Sequence, residues 1–217
     1  GKNLFDAIRV PGWSGRQFQR VVSHDDIAPL RAAYEKGRGV VVITGHIGCF
    51  EVLLHFVASR GIPCFAVGQK LYDPRLDRLV AKGRSGKNIE YVYRNDARAT
   101  MRLLRKEGRV FGVLIDQDTN VEGVFAPFLG RPAHTPSGAV KLAMRYDIPL
   151  LVMTTHRKED DTHHVSIGEE IALERDGEFH ADLVANVTRV NDQLSSAILA
   201  HPDQWVWMHR RWKKRPV

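Results

Sequence analysis

Apolar residues along this chain fall into short β-branched runs and longer stretches of helical period, and the two kinds alternate. Residues 40–44, Val-Val-Val-Ile-Thr, form a continuous run that predicts a strand buried on both faces. Phe50, Val52, Leu53, Leu54, Phe56 and Val57 then recur at helical spacing and predict a helix over 50–60. The same reading gives strands at 63–67, 89–93, 110–115 and 150–154. It gives helices at 73–82, at 96–106 with Met101, Leu103 and Leu104 inward, at 137–146 and at 181–200. An earlier helix, capped within Ser23-His24-Asp25-Asp26, runs to about Lys36 and stops at Gly37. Residues 163–168 alternate as an edge strand, a Gly/Pro-rich loop leads from Asp118 to Thr135, and 205–212 close the chain. Strand–helix alternation with short connections predicts an α/β fold: a mainly parallel central sheet with helices on both faces. With no repeat and no boundary, residues 1–217 are expected to form a single domain.

Composition narrows the partners more than the fold. Apolar residues make up 43% and charged ones 26%, as in an ordinary globular protein, but the formal charge is +7. Such a balance favours anionic partners: nucleic acid, anionic lipid head groups or phosphorylated substrates. Two cysteines, Cys49 and Cys64, cannot staple a chain of this length, and no Cys/His spacing suggests a zinc site, so a reducing compartment is expected. No stretch approaches the ~20 apolar residues of a membrane span. The chain begins Gly-Lys-Asn rather than with methionine, so a preceding segment is expected to have been removed.

The richest chemistry lies in Thr44-Gly45-His46-Ile47-Gly48-Cys49-Phe50-Glu51, where a predicted strand hands over to a predicted helix. Sites in open parallel sheets lie along this rim of C-terminal strand ends. A carboxylate on one nitrogen of His46 would fix its tautomer and leave the other free as a base. On a regular helix, positions i and i+5 lie roughly 140° apart. Glu51 therefore reaches His46 only if the Gly-rich turn folds back. Asp116, in Asp116-Gln117-Asp118, also follows a predicted strand and is a rival for the imidazole; a capping turn is its bland alternative. Cys49 is a conceivable nucleophile, but a small space-filling residue at a helix start is the plainer reading. Arg84 and Arg94 can each bind a phosphate or an oxyanion, although a solvated cation is the commoner role. Loop 123–130, containing Phe125 and Phe128, is apolar enough to line an acyl chain or to pack beneath the next helix. The end of the chain holds Trp205, Trp207 and Trp212 among Arg and Lys residues. Such a cluster suits a membrane interface or nucleic acid, or it packs its first tryptophans on the sheet and leaves the basic end solvated.

Taken in order, four segments resemble the bacterial lipid A late acyltransferases, the lauroyl/myristoyl branch of the lysophospholipid acyltransferase superfamily. They are the His-x4-acid pair His46/Glu51, the Asp-Gln-Asp turn at 116–118, the Pro-Phe-x-Gly-x-x-Ala-x-Thr-Pro-x-Gly run at 127–138, and the Pro-x-Gln-Trp-x-Trp-x-His-Arg-Arg-Trp-Lys ending at 202–213. The match covers essentially the whole chain; Cys49-Phe50 stand where the family often has Asn-Trp, and its N-terminal membrane helix is missing. The resemblance implies acyl transfer from a thioester, on acyl carrier protein or CoA, to a hydroxyl of a lipid A precursor or related glycolipid. It implies His46 as general base, Glu51 or Asp116 as its orienting acid, Arg84 at the oxyanion, and Arg94 at the acceptor phosphate. Gly48, Gln117 and Phe128 are further candidate substrate-binding positions. No metal or bound cofactor is implied, and the expected place is an anionic membrane surface, the cytoplasmic face of the bacterial inner membrane. Nucleic acid is not an expected partner. A nucleic-acid-binding protein and a thioester or lipid hydrolase using the same histidine are the alternatives from other classes.

Overall fold

A computed structural model describes residues 2–94 and 96–216. Helices α1 (Lys2–Arg9) and α2 (Gly15–Val21) lead into a short strand, β1 (Val22–His24). Then follow α3 (Ala28–Glu35), β2 (Val40–Thr44), α4 (Glu51–Ser59), β3 (Cys64–Gly68), α5 (Pro74–Gly83) and β4 (Ile89–Tyr93). Helix α6 (Ala97–Met101) runs on as a π turn over Arg102–Lys106 into β5 (Val110–Leu114). A hairpin, β6 (Gly123–Phe128) and β7 (Arg131–Pro136), precedes α7 (Gly138–Tyr146), β8 (Leu150–Arg157), β9 (His163–Ile167) and the long α8 (Phe179–Ala200).

The described residues form a seven-stranded sheet in the order β1-β9-β8-β2-β5-β3-β4. Strands β8, β2, β5, β3 and β4 run parallel, whereas β9 is antiparallel to β8 and carries β1 parallel to itself. The mainly parallel α/β plan is therefore present. Burial on both faces explains why β2 reads as an unbroken apolar run. Val41 and Ile43 enter one core, with β6, α7 and α8, while Val40 and Val42 enter the other, with α3 and α4.

Two expectations change. Residues 163–168 are not an edge strand, because β1 pairs outside them. Three residues with polar side chains at Ser23 and His24 give β1 too short a pattern to read as a strand. The loop after Asp118 contains a hairpin whose two-residue turn, Leu129-Gly130, has positive φ at both positions (49° and 75°). Such mirror-image turns match the twist of paired strands. Pro127 and Pro132 face each other there, which a two-stranded ribbon tolerates because its outer edges need no ladder partner.

Candidate active site

Strand register builds the centre of the site. Thr44 at the end of β2 pairs with Leu114 at the end of β5, and His46 and Asp116 each lie two residues further on. Equal offsets from paired residues on adjacent parallel strands place the two side chains together. His46 Nδ1 and Asp116 Oδ1 are 2.7 Å apart, and the His46 backbone N–H donates to Oδ2 at 2.7 Å. Gly45 permits this approach: a Cβ there would sit 3.0 Å from Oδ2. Asp116 is 1% exposed. Burial by itself would raise its pKa, but the bond and charge of His46, the indole N–H of Trp205 and the His46 amide together hold the carboxyl below its usual range. An ionised Asp116 accepts only, so Nδ1 carries a proton and, in the neutral imidazole, Nε2 is the nitrogen with the free lone pair.

Glu51 does not hold the imidazole. Its carboxylate is bound by Arg84, whose Nε lies 3.1 Å from both oxygens and whose Nη2 also donates. Burial pulls the guanidinium pKa down, but the bonds and charge of Glu51 more than restore it. Arg84 also lies 5.7 Å from the centre of the Tyr91 ring. His46 stays in the turn and Glu51 opens α4, the layout in which the pair could have met, but the Glu51 carboxylate is directed to Arg84 instead.

From this ion pair a narrow apolar slot of about 60 Å³ runs beneath α4, over β2, β5 and β3. Phe50, Leu54 and Val57 wall it on the helix side, and Leu114, Gly112 and Val110 on the β5 side. Four residue steps of strand correspond to about 13 Å. Neither the slot nor two larger cavities, of about 320 and 270 Å³, has His46 or Asp116 in its lining, but Phe50, which walls the slot, has its ring centre 5.0 Å from that of His46. Among the described residues no cluster of three or more metal-ligating side chains is assembled.

The tryptophan-rich segment, for which a membrane interface, nucleic acid and packing on the sheet are the expected readings, packs Trp205 into this site. Val206 donates its N–H to His46 O (3.2 Å) and Gly48 donates to Gln204 O (3.1 Å), pinning the histidine turn. Buried Trp205 donates Nε1–H to Asp116 Oδ2 at 2.8 Å. Further on, the Asp118 N–H donates to His209 Nε2 (2.9 Å), and Asp118 Oδ2 accepts from the Lys214 N–H (2.7 Å). The basic end is not simply solvated, because Arg211 is fully buried. It donates to His134 O and to Thr135 Oγ1, and burial pushes its pKa down to about 10 despite the charges of Asp116 and Asp118.

With this geometry in view, the sequence matches the family model of the bacterial lipid A biosynthesis acyltransferases over residues 1–214. The chain belongs to that family. It is 26% identical over 207 residues to the lipid A biosynthesis palmitoleoyltransferase of Escherichia coli strain K12, covering 94% of this chain and 66% of that protein. It is 24% identical over 220 residues to the lipid A biosynthesis lauroyltransferase of the same strain, covering 100% of this chain and 70% of the relative. The chain thus spans about two thirds of the length of these curated relatives. Its fold matches the crystal structure of the 1-acyl-sn-glycerophosphate acyltransferase PlsC from Thermotoga maritima. That match has a TM-score of 0.50 at 12% identity, covering 94% of this chain and 83% of the other.

Within this family member the remaining candidates scatter. Gly48, with φ +57°, lies against β8 and gives its N–H to Gln204, which makes it a packing position. Phe128 is 1% exposed and packs against Trp205, Trp212 and Arg211, so it lies outside the slot. Gln117 is half-buried between the two aspartates. Arg94 is exposed beyond β4, three strand spacings from β2, or about 14 Å. Cys49 is buried, and burial, with the charges of Asp6 and Glu51, pushes its thiol up to about 12. It stays protonated near neutral pH and is a poor nucleophile. Trp205 and Gln204 are the functional positions missed by sequence reasoning. Their signal lies in the tryptophan-rich ending, for which packing of the first tryptophans is one of the readings the pattern allows.

Proposed function

We propose that this chain transfers a fatty acyl group from a thioester, on acyl carrier protein or CoA, to a hydroxyl of a lipid A precursor or a related glycolipid. The observation that carries the reading is the buried Asp116 carboxylate on Nδ1 of a partly exposed His46, beside an apolar slot. Nε2 takes the proton of the acceptor hydroxyl as its oxygen attacks the thioester carbonyl carbon, and Asp116 stabilises the imidazolium that forms. The carbonyl π electrons move onto oxygen, where the Arg84 guanidinium, held by Glu51, offers its remaining N–H groups. Collapse breaks the C–S bond, and the departing thiolate takes the proton back from His46. The acyl chain lies in the slot. Arg94, on the exposed edge, meets the acceptor phosphate, and this chemistry is placed at the cytoplasmic face of the inner membrane.

The direct test is lipid mass spectrometry of cells lacking the gene: one specific acyl chain should disappear from one glycolipid, and an unchanged lipid profile would exclude the proposal. Two finer outcomes follow from the geometry. Trp205→Phe keeps the packing but removes a hydrogen bond to a charged acceptor, so kcat should fall about tenfold with KM little changed. Asp116 then protonates at higher pH, so the acid limb of the rate profile moves upward. A profile that stays put would reduce Trp205 to a packing role. At Gly112 an added Cβ makes ordinary contacts, 3.8 Å to Phe65 O and 3.9 Å to Leu54 Cδ1, so a larger side chain enters the slot rather than the backbone. Gly112→Leu should lower transfer of long acyl chains by about tenfold or more relative to short ones. Equal loss across chain lengths would place the acyl chain elsewhere.

A further inference from the structure

Helix α5 is turned inside out. Leu76 and Leu79 are 55% and 58% exposed, whereas Asp77 between them is 6% exposed. Asp77 points inward, accepting from the Leu71 N–H at 2.9 Å and the Tyr93 hydroxyl at 2.7 Å. At 100° per residue, Leu76 and Leu79 share their outer face with the exposed cations Arg75 and Lys82, while Arg84 at the end of the helix turns in to Glu51. Leu71 and Tyr72 extend the apolar outer surface, Tyr72 with its full side chain in solvent. The turn after α1 abuts the far end: Pro11 Cγ lies 3.4 Å from where a Cβ on Gly83 would be. Helix α1 itself exposes Phe5 and Ile8. Of ten exposed large apolar side chains among the described residues, these six lie on two neighbouring segments.

We propose that α5, with α1 beside it, is the face that docks on an anionic lipid bilayer, setting the Glu51–Arg84 end of the slot at the membrane surface. Exposed leucines interleaved with cations are the signature of a helix lying in the head-group region, where apolar side chains enter the acyl boundary and cations meet lipid phosphate. Exposed apolar surface on this scale needs a partner. A bilayer suits a patch that is spread over two neighbouring segments, on a helix followed directly by Arg84, which lines the apolar slot. Among the described residues no helix is long and apolar enough to cross a membrane. The inference rests on the acyltransferase reading for its biological sense, but not for its test.

The test is flotation of the 217-residue chain with vesicles of equal parts phosphatidylcholine and phosphatidylglycerol, and with phosphatidylcholine alone. The wild type should float with the anionic vesicles, less so at high salt. The double variant L76S/L79S should lower that partition by about tenfold or more. Its thermal melt and its acyl transfer to a detergent-dispersed acceptor should stay at wild-type levels. Unchanged flotation of L76S/L79S would overturn the proposal, as would failure of the wild type to bind anionic vesicles. So would loss in this variant of acyl carrier protein binding or of self-association while vesicle binding persists, since the patch would then belong to that partner. Flotation requires no turnover, so His46→Ala should float like the wild type. A chain that floats but does not transfer acyl groups refutes the acyltransferase reading alone.

Discussion

Replacing His46 by alanine should lower acyl transfer by about a thousandfold, with the fold and thioester affinity intact. General-base catalysis by a positioned side chain contributes on the order of 10²–10⁴ in rate. Asp116→Asn provides the sharper diagnosis. An asparagine can turn its amide N–H toward Nδ1 and hold the imidazole in the tautomer whose Nε2 is already protonated, so activity should fall about as far as with the alanine variant. Glu51→Gln leaves the dyad in place and weakens only the grip on Arg84, so its loss should be smaller, about ten- to a hundredfold. Steady-state rates on one acyl thioester rank the three. If Glu51→Gln proved more damaging than Asp116→Asn, the acid that matters to His46 would be the wrong one.

Gly48→Ala should be the most destabilising single methyl group in the site. At φ +57° an L-residue is strained, at a cost of roughly 1–2 kcal/mol. The new Cβ would also lie 2.2 Å from Thr155 O and 3.0 Å from the His156 Cα, both backbone atoms of β8 that cannot swing aside. The two effects together should cost about 3 kcal/mol. For a domain of this size that lowers Tm by about 6–12 °C. Because Gly48 also ties the turn to Gln204, transfer should fall with stability. A melt within about a degree of the wild type would show that the turn relaxes freely, against the rigid close packing of interiors.

Much of the architecture could be read from period alone, because a strand buried on both faces and a helix with one apolar stripe leave different marks, as at Val40–Thr44 and Glu51–Ser59. Strand β1 escaped because three residues carry no period, and the hairpin because its prolines and glycines mimic a loop. In the site, sequence order placed His46 and Asp116 on one rim, but choosing between Asp116 and Glu51 required strand register and side-chain direction. Helix α5 shows the limit most clearly. Its amphipathic pattern marks a helix, yet the same pattern fits leucines turned in or out, and only the bonds of Asp77 decide. Trp205 lies 89 residues from the carboxylate it serves, a pairing to which local pattern is blind.

That long-range bond also orders events during synthesis. His46 and Asp116 leave the ribosome well before Trp205, which at about 5–20 residues per second follows His46 by roughly ten to thirty seconds. Until it arrives, one Asp116 oxygen has lost its indole donor and the histidine turn its bridging strand. A nascent chain that has not yet extended past Trp205 therefore holds an unfinished centre, whose histidine and carboxylate are present before the residue that braces them.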